Sequence, residues 1–102
     1  MALYRVVLKV REVRGHCPLY KPGDELVVNG FYVEPGKAPV CIHALCALSP
    51  LLSAFAHGTS ARELGIGEED DRGYLQCPDP GPPHTRGGTV VFELVRVGEV
   101  RG

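Results

Sequence analysis

Apolar and charged positions alternate along residues 3–13. Tyr4, Val6, Leu8 and Val10 fall on one face; Arg5, Lys9 and Arg11 share the other with Leu3 and Val7. A period of two marks a half-buried strand, which Gly15 ends. Pro22-Gly23 supplies a turn, because Pro presets φ and Gly accepts positive φ, and Asp24 beside it reads as a turn residue. Residues 25–33 read as a second strand, open to interruption at Asn29-Gly30, a type I′ turn pair. Pro35, Gly36 and Pro39 make a loop. Over residues 40–57 the period lengthens to that of a helix. At 100° per residue Cys41, Leu45, Leu48, Leu52 and Phe55 form one stripe. This stretch is nearly free of charge and reads as a buried core helix. Pro50 either kinks it or opens a second helix with Ser49 as cap. Gly58 stops it. Ser60, Glu63 and Gly65 are spaced for one further capped turn. Residues 74–77 read as a short strand, residues 78–88 as a loop rich in Pro and Gly, and residues 89–97 as a last, β-branched strand.

The order β-β-α-β-β with one main helix predicts an α+β fold: a small, mostly antiparallel sheet with the helix packed on one face. The 102 residues make a single domain, residues 1–102, long enough to bury a core without covalent staples. No internal repeat or linker divides it.

Charge narrows the function. The formal net charge is −1, which leaves no basic footprint for nucleic acid or anionic lipid. Aromatic residues are 7% with no tryptophan, too few for a base-stacking platform. Arg5 and Lys9 break the N-terminal apolar run, so it reads as neither signal peptide nor membrane span. The predicted compartment is the cytoplasm, where disulfides are rare, so the cysteines read as thiols or ligands. Single copies of Asn29, Gln76 and Met1, an excess of Arg over Lys and proline-rich loops suit a heat-adapted protein or a GC-rich genome.

The four cysteines are Cys17, Cys41, Cys46 and Cys77, and no pair has Cys-x-x-Cys spacing. Cys46 lies about 140° around the helix from Cys41, too far to share an ion, and reads as a small buried hydrophobe. Cys41 opens the helix, where the dipole and unpaired N–H groups favour a thiolate. Cys17 and Cys77 each precede a proline, which holds the sulfur at a rigid turn, as beside iron–sulfur ligands. All three sit at element ends, where sites are commonly built. Three thiolates could hold zinc with one open position, or an iron–sulfur cluster with one other ligand. His16, His43, Asp79 and His84 are candidates for that fourth place. Taken singly, His43 reads as a surface residue, His57 as a helix C-terminal cation and His84 as solvated. Ser49 and Ser53 lack the partners of a triad, and Gly65-Ile66-Gly67 and Gly87-Gly88 lack the pattern of a phosphate loop.

Three segments carry a resemblance: Cys17-Pro18-Leu19-Tyr20-Lys21-Pro22-Gly23-Asp24, Cys41-Ile42-His43-Ala44-Leu45 and Cys77-Pro78-Asp79-Pro80-Gly81. Together they resemble a small prokaryotic family of unknown function. Its pattern is Cys-Pro-x-aromatic-Lys-x-Gly, a helix-opening Cys, then Cys-x-Asp-Gly-like residues before a last strand. The chain departs from it where Pro80 separates Asp79 from Gly81 and where the loop through Pro82-Pro83-His84 is longer. The resemblance implies a role for Cys17, Cys41 and Cys77, and no reaction.

Three functions follow as expectations. The first is a metal-binding protein using Cys17, Cys41 and Cys77, with zinc or an iron–sulfur cluster as cofactor. The second is a metal-free interaction module or accessory subunit, with loop 78–88 against a protein partner or the chain forming a homo-oligomer. The third is a small thiol enzyme with Cys41 as activated nucleophile.

Overall fold

The alternation at the start of the chain builds the centre of the sheet. In the computed structural model, which describes residues 3–100, β1 runs Leu3–Gly15 and β5 runs Gly88–Val100. These two strands pair antiparallel along almost their whole length. β2 (Glu25–Asn29) and β3 (Tyr32–Val33) extend the sheet on one side, and β4 (Arg72–Gln76) on the other. The order is β3-β2-β1-β5-β4, with every pairing antiparallel. Two helices, α1 (Ile42–Ala56) and α2 (Ala61–Leu64), carry the chain from β3 to β4. The fold is therefore α+β, with one main helix on an antiparallel sheet.

Register explains the core. Leu8 stands between Leu26 and Leu94, and Val28 and Arg96 flank Val6. Val6, Val10, Val90, Phe92 and Leu94 are almost fully buried on the face that meets Ala44, Leu48, Leu52 and Phe55 of α1. Between Val10 and Glu12 the register slips. The extra residue, Arg11, reverses the parity of β1, so that Val13 turns back to pack on the core.

Several expectations need correction. The second strand is a hairpin of two, and its turn is one residue later than Asn29-Gly30. Gly30 takes φ 61°, Phe31 donates its N–H to the Asn29 carbonyl at 2.6 Å, and among the described residues no non-glycine residue has positive φ. A type I′ turn centred on Asn29-Gly30 would have required positive φ at Asn29 as well. The main helix is not a buried core helix. It is amphipathic, with Ile42, His43, Cys46, Ser49, Pro50 and Ser53 exposed, because the sheet covers only one side of it. α1 continues through Pro50, so no second helix opens there. Ser49 lies inside it and bonds back to the Leu45 carbonyl at 2.6 Å rather than acting as a cap. The short turn is as expected: Ser60 accepts the Glu63 N–H, and Gly65 closes α2.

Arg96 has no counterpart among the sequence expectations. Its position on β5 points it under the end of α1, and its side chain is 6% exposed. Nη1 donates to the carbonyls of Phe55 and Thr59, both at 3.0 Å, and Nη2 donates to that of Asp70 at 2.8 Å. Nε donates to the Asp71 carboxylate at 2.9 Å. The guanidinium also lies over the rings of Phe55, at 4.5 Å, and Tyr4, at 4.9 Å. A cation at a helix C-terminus answers the unpaired carbonyls there. The alternation of Val90, Phe92 and Leu94 leads to Arg96 on the same face, so a charge at a core position was visible in the pattern.

No helix among the described residues is long and apolar enough to cross a membrane. Replacing Arg96 by Met keeps the volume and removes every one of these bonds. Arg96→Met is expected to lower the free energy of unfolding by about 2–4 kcal/mol, read from urea denaturation. Arg96→Lys is expected to restore only part of that, since an ammonium cannot reach three carbonyls and a carboxylate from one plane.

Candidate functional site

Antiparallel pairing brings the chain ends that matter to one end of the sheet. Gly15 stands opposite Gly88, and Gln76 opposite Val91. The Cys77 N–H extends the second ladder to the Val90 carbonyl at 3.0 Å, and the His16 N–H continues the first to Gly87 at 3.3 Å. The segments carrying Cys17 and Cys77 therefore flank the start of β5.

Tyr20 brings in the third segment. Its buried ring packs edge-on against Phe92 at 5.6 Å. Its hydroxyl donates to the Pro39 carbonyl at 2.8 Å and accepts the Cys41 N–H at 2.8 Å. One side chain thus fastens the start of α1 to the sheet. Burial pushes the Tyr20 phenol above its usual range, against the opposing pull of the Cys41 N–H; the neighbouring Cys41, Cys17 and Asp24 add to the rise. Asp24 itself accepts the Lys21 N–H at 3.0 Å, as a turn residue should.

A cleft of about 730 Å³ opens at this end, and Cys17, Cys41 and Cys77 all line it. His16, His43 and Asp79 line it with them. Cys41 is the N-cap residue of α1, half-buried, with no acidic residue in the first turn. Cys77 is buried, at 8% exposure. Its Sγ accepts the Val90 N–H at 3.2 Å and donates to the Gly88 carbonyl at 3.6 Å. Among the described residues no three His, Cys, Asp or Glu side chains stand gathered closely enough to hold one ion in this arrangement.

Asp79 organises the loop that forms one wall. Oδ1 accepts the Gly81 N–H at 2.9 Å and the Thr85 hydroxyl, and the Asp79 carbonyl accepts the Thr89 hydroxyl at 2.6 Å. Gly87 has no side chain because its Cβ would collide with the Asp79 carboxylate. The Thr85 hydroxyl, then the Gly81 N–H and more weakly the charge of His43, hold the Asp79 carboxyl below the usual carboxylate range.

The other candidates lie elsewhere. Cys46 is exposed on the outer side of α1, so it is no buried hydrophobe. The angle that separates it from Cys41 turns it to solvent. His84 is exposed and His57 forms the C-cap of α1, its Nδ1 at 2.7 Å from the Ser53 carbonyl and its ring against Phe31. Sequence reasoning missed Tyr20, although it sits within the segment that begins Cys17-Pro18. No family model, curated protein or solved structure matches the chain.

Tyr20→Phe deletes both hydroxyl bonds and leaves the Cys41 N–H and Pro39 carbonyl unpaired. It is expected to cost about 1–3 kcal/mol of stability, measured by thermal or urea unfolding. Asp79 supplies a pH test. A carboxylate with depressed folded pKa adds stability above its unfolded value and loses it as pH falls through the folded one. The Gly81 amide resonance is therefore expected to stay fixed at neutral pH and to shift in acid below the ordinary carboxylate range. In Asp79→Asn, NMR titration is expected to show no such transition.

Proposed function

We propose that the protein binds a thiophilic metal, zinc or an iron–sulfur cluster, through Cys17, Cys41 and Cys77. One observation carries the reading: three cysteines far apart in sequence line a single cleft, and the fourth cysteine does not. Cys41 stands at the N-terminus of a 15-residue helix, and the Cys77 Sγ accepts the Val90 N–H at 3.2 Å. Pro18 and Pro78 stiffen the chain beside Cys17 and Cys77. Binding one ion requires the three thiols to converge and Cys77 to release the Gly88 carbonyl. Leu19, Val40 and Ile42 expose apolar surface around the cleft, which suits exchange of the site with a protein partner. The net charge of −1 offers no basic footprint for nucleic acid or an anionic lipid surface as partner.

Protein purified without oxygen is expected to carry near-stoichiometric zinc or iron by plasma mass spectrometry. Cys17→Ser, Cys41→Ser and Cys77→Ser are each expected to lose most of it, and Cys46→Ser none. Metal-free wild-type protein that also fails to take up either metal would sink the reading.

A second reading makes Cys41 an activated nucleophile, favoured by its half-buried place at the helix start. Cys46 is the internal reference, since it is the more exposed thiol. Selective alkylation of Cys41 ahead of Cys46 at neutral pH supports this reading. Faster reaction at Cys46 removes it.

A further inference from the structure

Period-two alternation gives the sheet two faces, and the helices pack on only one of them. The register shows what the other carries. Val27, Val7 and Val95 stand side by side on β2, β1 and β5, with Arg72 next to them on β4. The neighbouring row on the same face is Glu25, Lys9, Glu93 and Tyr74. An antiparallel sheet that faces water ordinarily alternates to polar residues on that side. Here the middle row is three half-buried valines, and Tyr74 and Val97 are exposed.

The charges on this face are balanced. Arg5 pairs with Glu34, and Arg72 with Glu93. Lys9 stands in register between Glu25 and Glu93, yet among the described residues neither Lys9 nor Glu25 belongs to an ion pair. A face with one spare charge of each sign suits neither a polyanion nor a strongly charged protein. It is complementary to itself. A two-fold axis parallel to the strands, above the line between β1 and β5, lays β1 of one copy over β5 of the other. Val7 then meets Val95, Lys9 meets Glu93, and Glu25 comes over Tyr74 beside Arg72. No charge is set against its like. Size agrees. The molecule is a slab of 43 × 28 × 20 Å, and its longest dimension matches a 13-residue strand at about 3.3 Å per residue. The sheet is therefore its broad side, large enough for the roughly 800 Å² per partner of a standard interface.

We propose that the chain forms a homodimer by packing this open face on the same face of a second copy, sheet against sheet, with the helices outermost. Two sheets stacked in this way keep their strands within about 30° of each other, so the contacts near the axis survive the twist. The contact is isologous, and each Val7–Val95 and Lys9–Glu93 meeting occurs twice. None of these side chains lines the cleft, so the interface takes no group from it.

Sedimentation equilibrium of the full chain tests this, with chelator present so that no shared metal contributes. Wild-type protein is expected to show twice the chain mass at about 100 µM, above the micromolar limit usual for a standard interface. Val7→Lys is expected to weaken association about 100-fold, because it sets an unpaired cation against Val95 on both sides of the axis. Lys9→Glu and Glu93→Lys are each expected to associate more weakly than wild type. An equimolar mixture of those two is expected to form the mixed dimer in preference to either parent, since only the mixture sets opposite charges across the axis. Near-ultraviolet circular dichroism confirms that each variant is folded; where Glu93→Lys is not, Val7→Lys decides alone. A monomeric wild type overturns the proposal and leaves the face to a different protein. A Val7→Lys variant that dimerises as well as wild type overturns it by placing the contact on another surface. Folded charge variants without preference for the mixed dimer overturn the two-fold arrangement and the proposal with it. Metal content enters none of these readouts, so the cleft reading stands or falls separately.

Discussion

One helix lies across the sheet, and it is held at both ends by polar groups that rise from beneath it. At the C-terminus of α1 the Arg96 guanidinium meets the carbonyls of Phe55 and Thr59. At the N-terminus the Tyr20 hydroxyl bridges Pro39 and Cys41. The apolar stripe between them supplies adhesion without direction, because leucine against valine tolerates sliding and rotation. Directed bonds at the two ends remove that freedom. The position of Cys41 relative to Cys17 and Cys77 is therefore a consequence of where Tyr20 and Arg96 place the helix.

The two anchors differ in what they fix. Arg96 also binds Asp70 and Asp71, so it sets the return of the chain from α2 into β4. β4 ends at Gln76, one residue before Cys77, so the far anchor reaches the cleft through the strand. Tyr20 acts directly, from the segment just after Cys17. Both are buried polar groups whose partners are satisfied, and among the described residues no buried side-chain nitrogen or oxygen lacks a partner. Such groups limit the packings a core can adopt, because any alternative leaves a donor or carbonyl unpaired.

Much of this was legible in the sequence, for physical reasons. Period-two alternation in β1 and the β-branched run in β5 announced strands, and the spacing of Leu48, Leu52 and Phe55 announced the buried side of α1. Helical rotation separated Cys46 from Cys41, and the structure places only Cys41 on the cleft. What escaped notice was the environment of that separation. A thiol was read as hidden because free cysteines usually are, whereas the sheet covers only one side of the helix. The turn at Gly30 was placed one residue early because Asn-Gly is a strong local pair, and tertiary pairing of Val28 with Val33 decided the register instead. Tyr20 was overlooked because a hydroxyl bridging two backbone groups has no signature in spacing. Arg96 did have one, in its parity with Phe92 and Leu94.

The pairing of β1 with β5 has a temporal meaning. The two strands at the middle of the sheet are the first and last in chain order, while the edges come from the segments between. During synthesis the first strand must wait, its apolar face unaccompanied, until the last has left the ribosome. The hairpin of β2 and β3 and the helix α1 can form early from local contacts, but the sheet that orders them closes only once β5 has emerged. Such topology implies a high contact order and slow folding for a chain this short. The cleft is assembled in the same late event, since its walls come from the segment after β1, the start of α1 and the segment after β4, joined through β5.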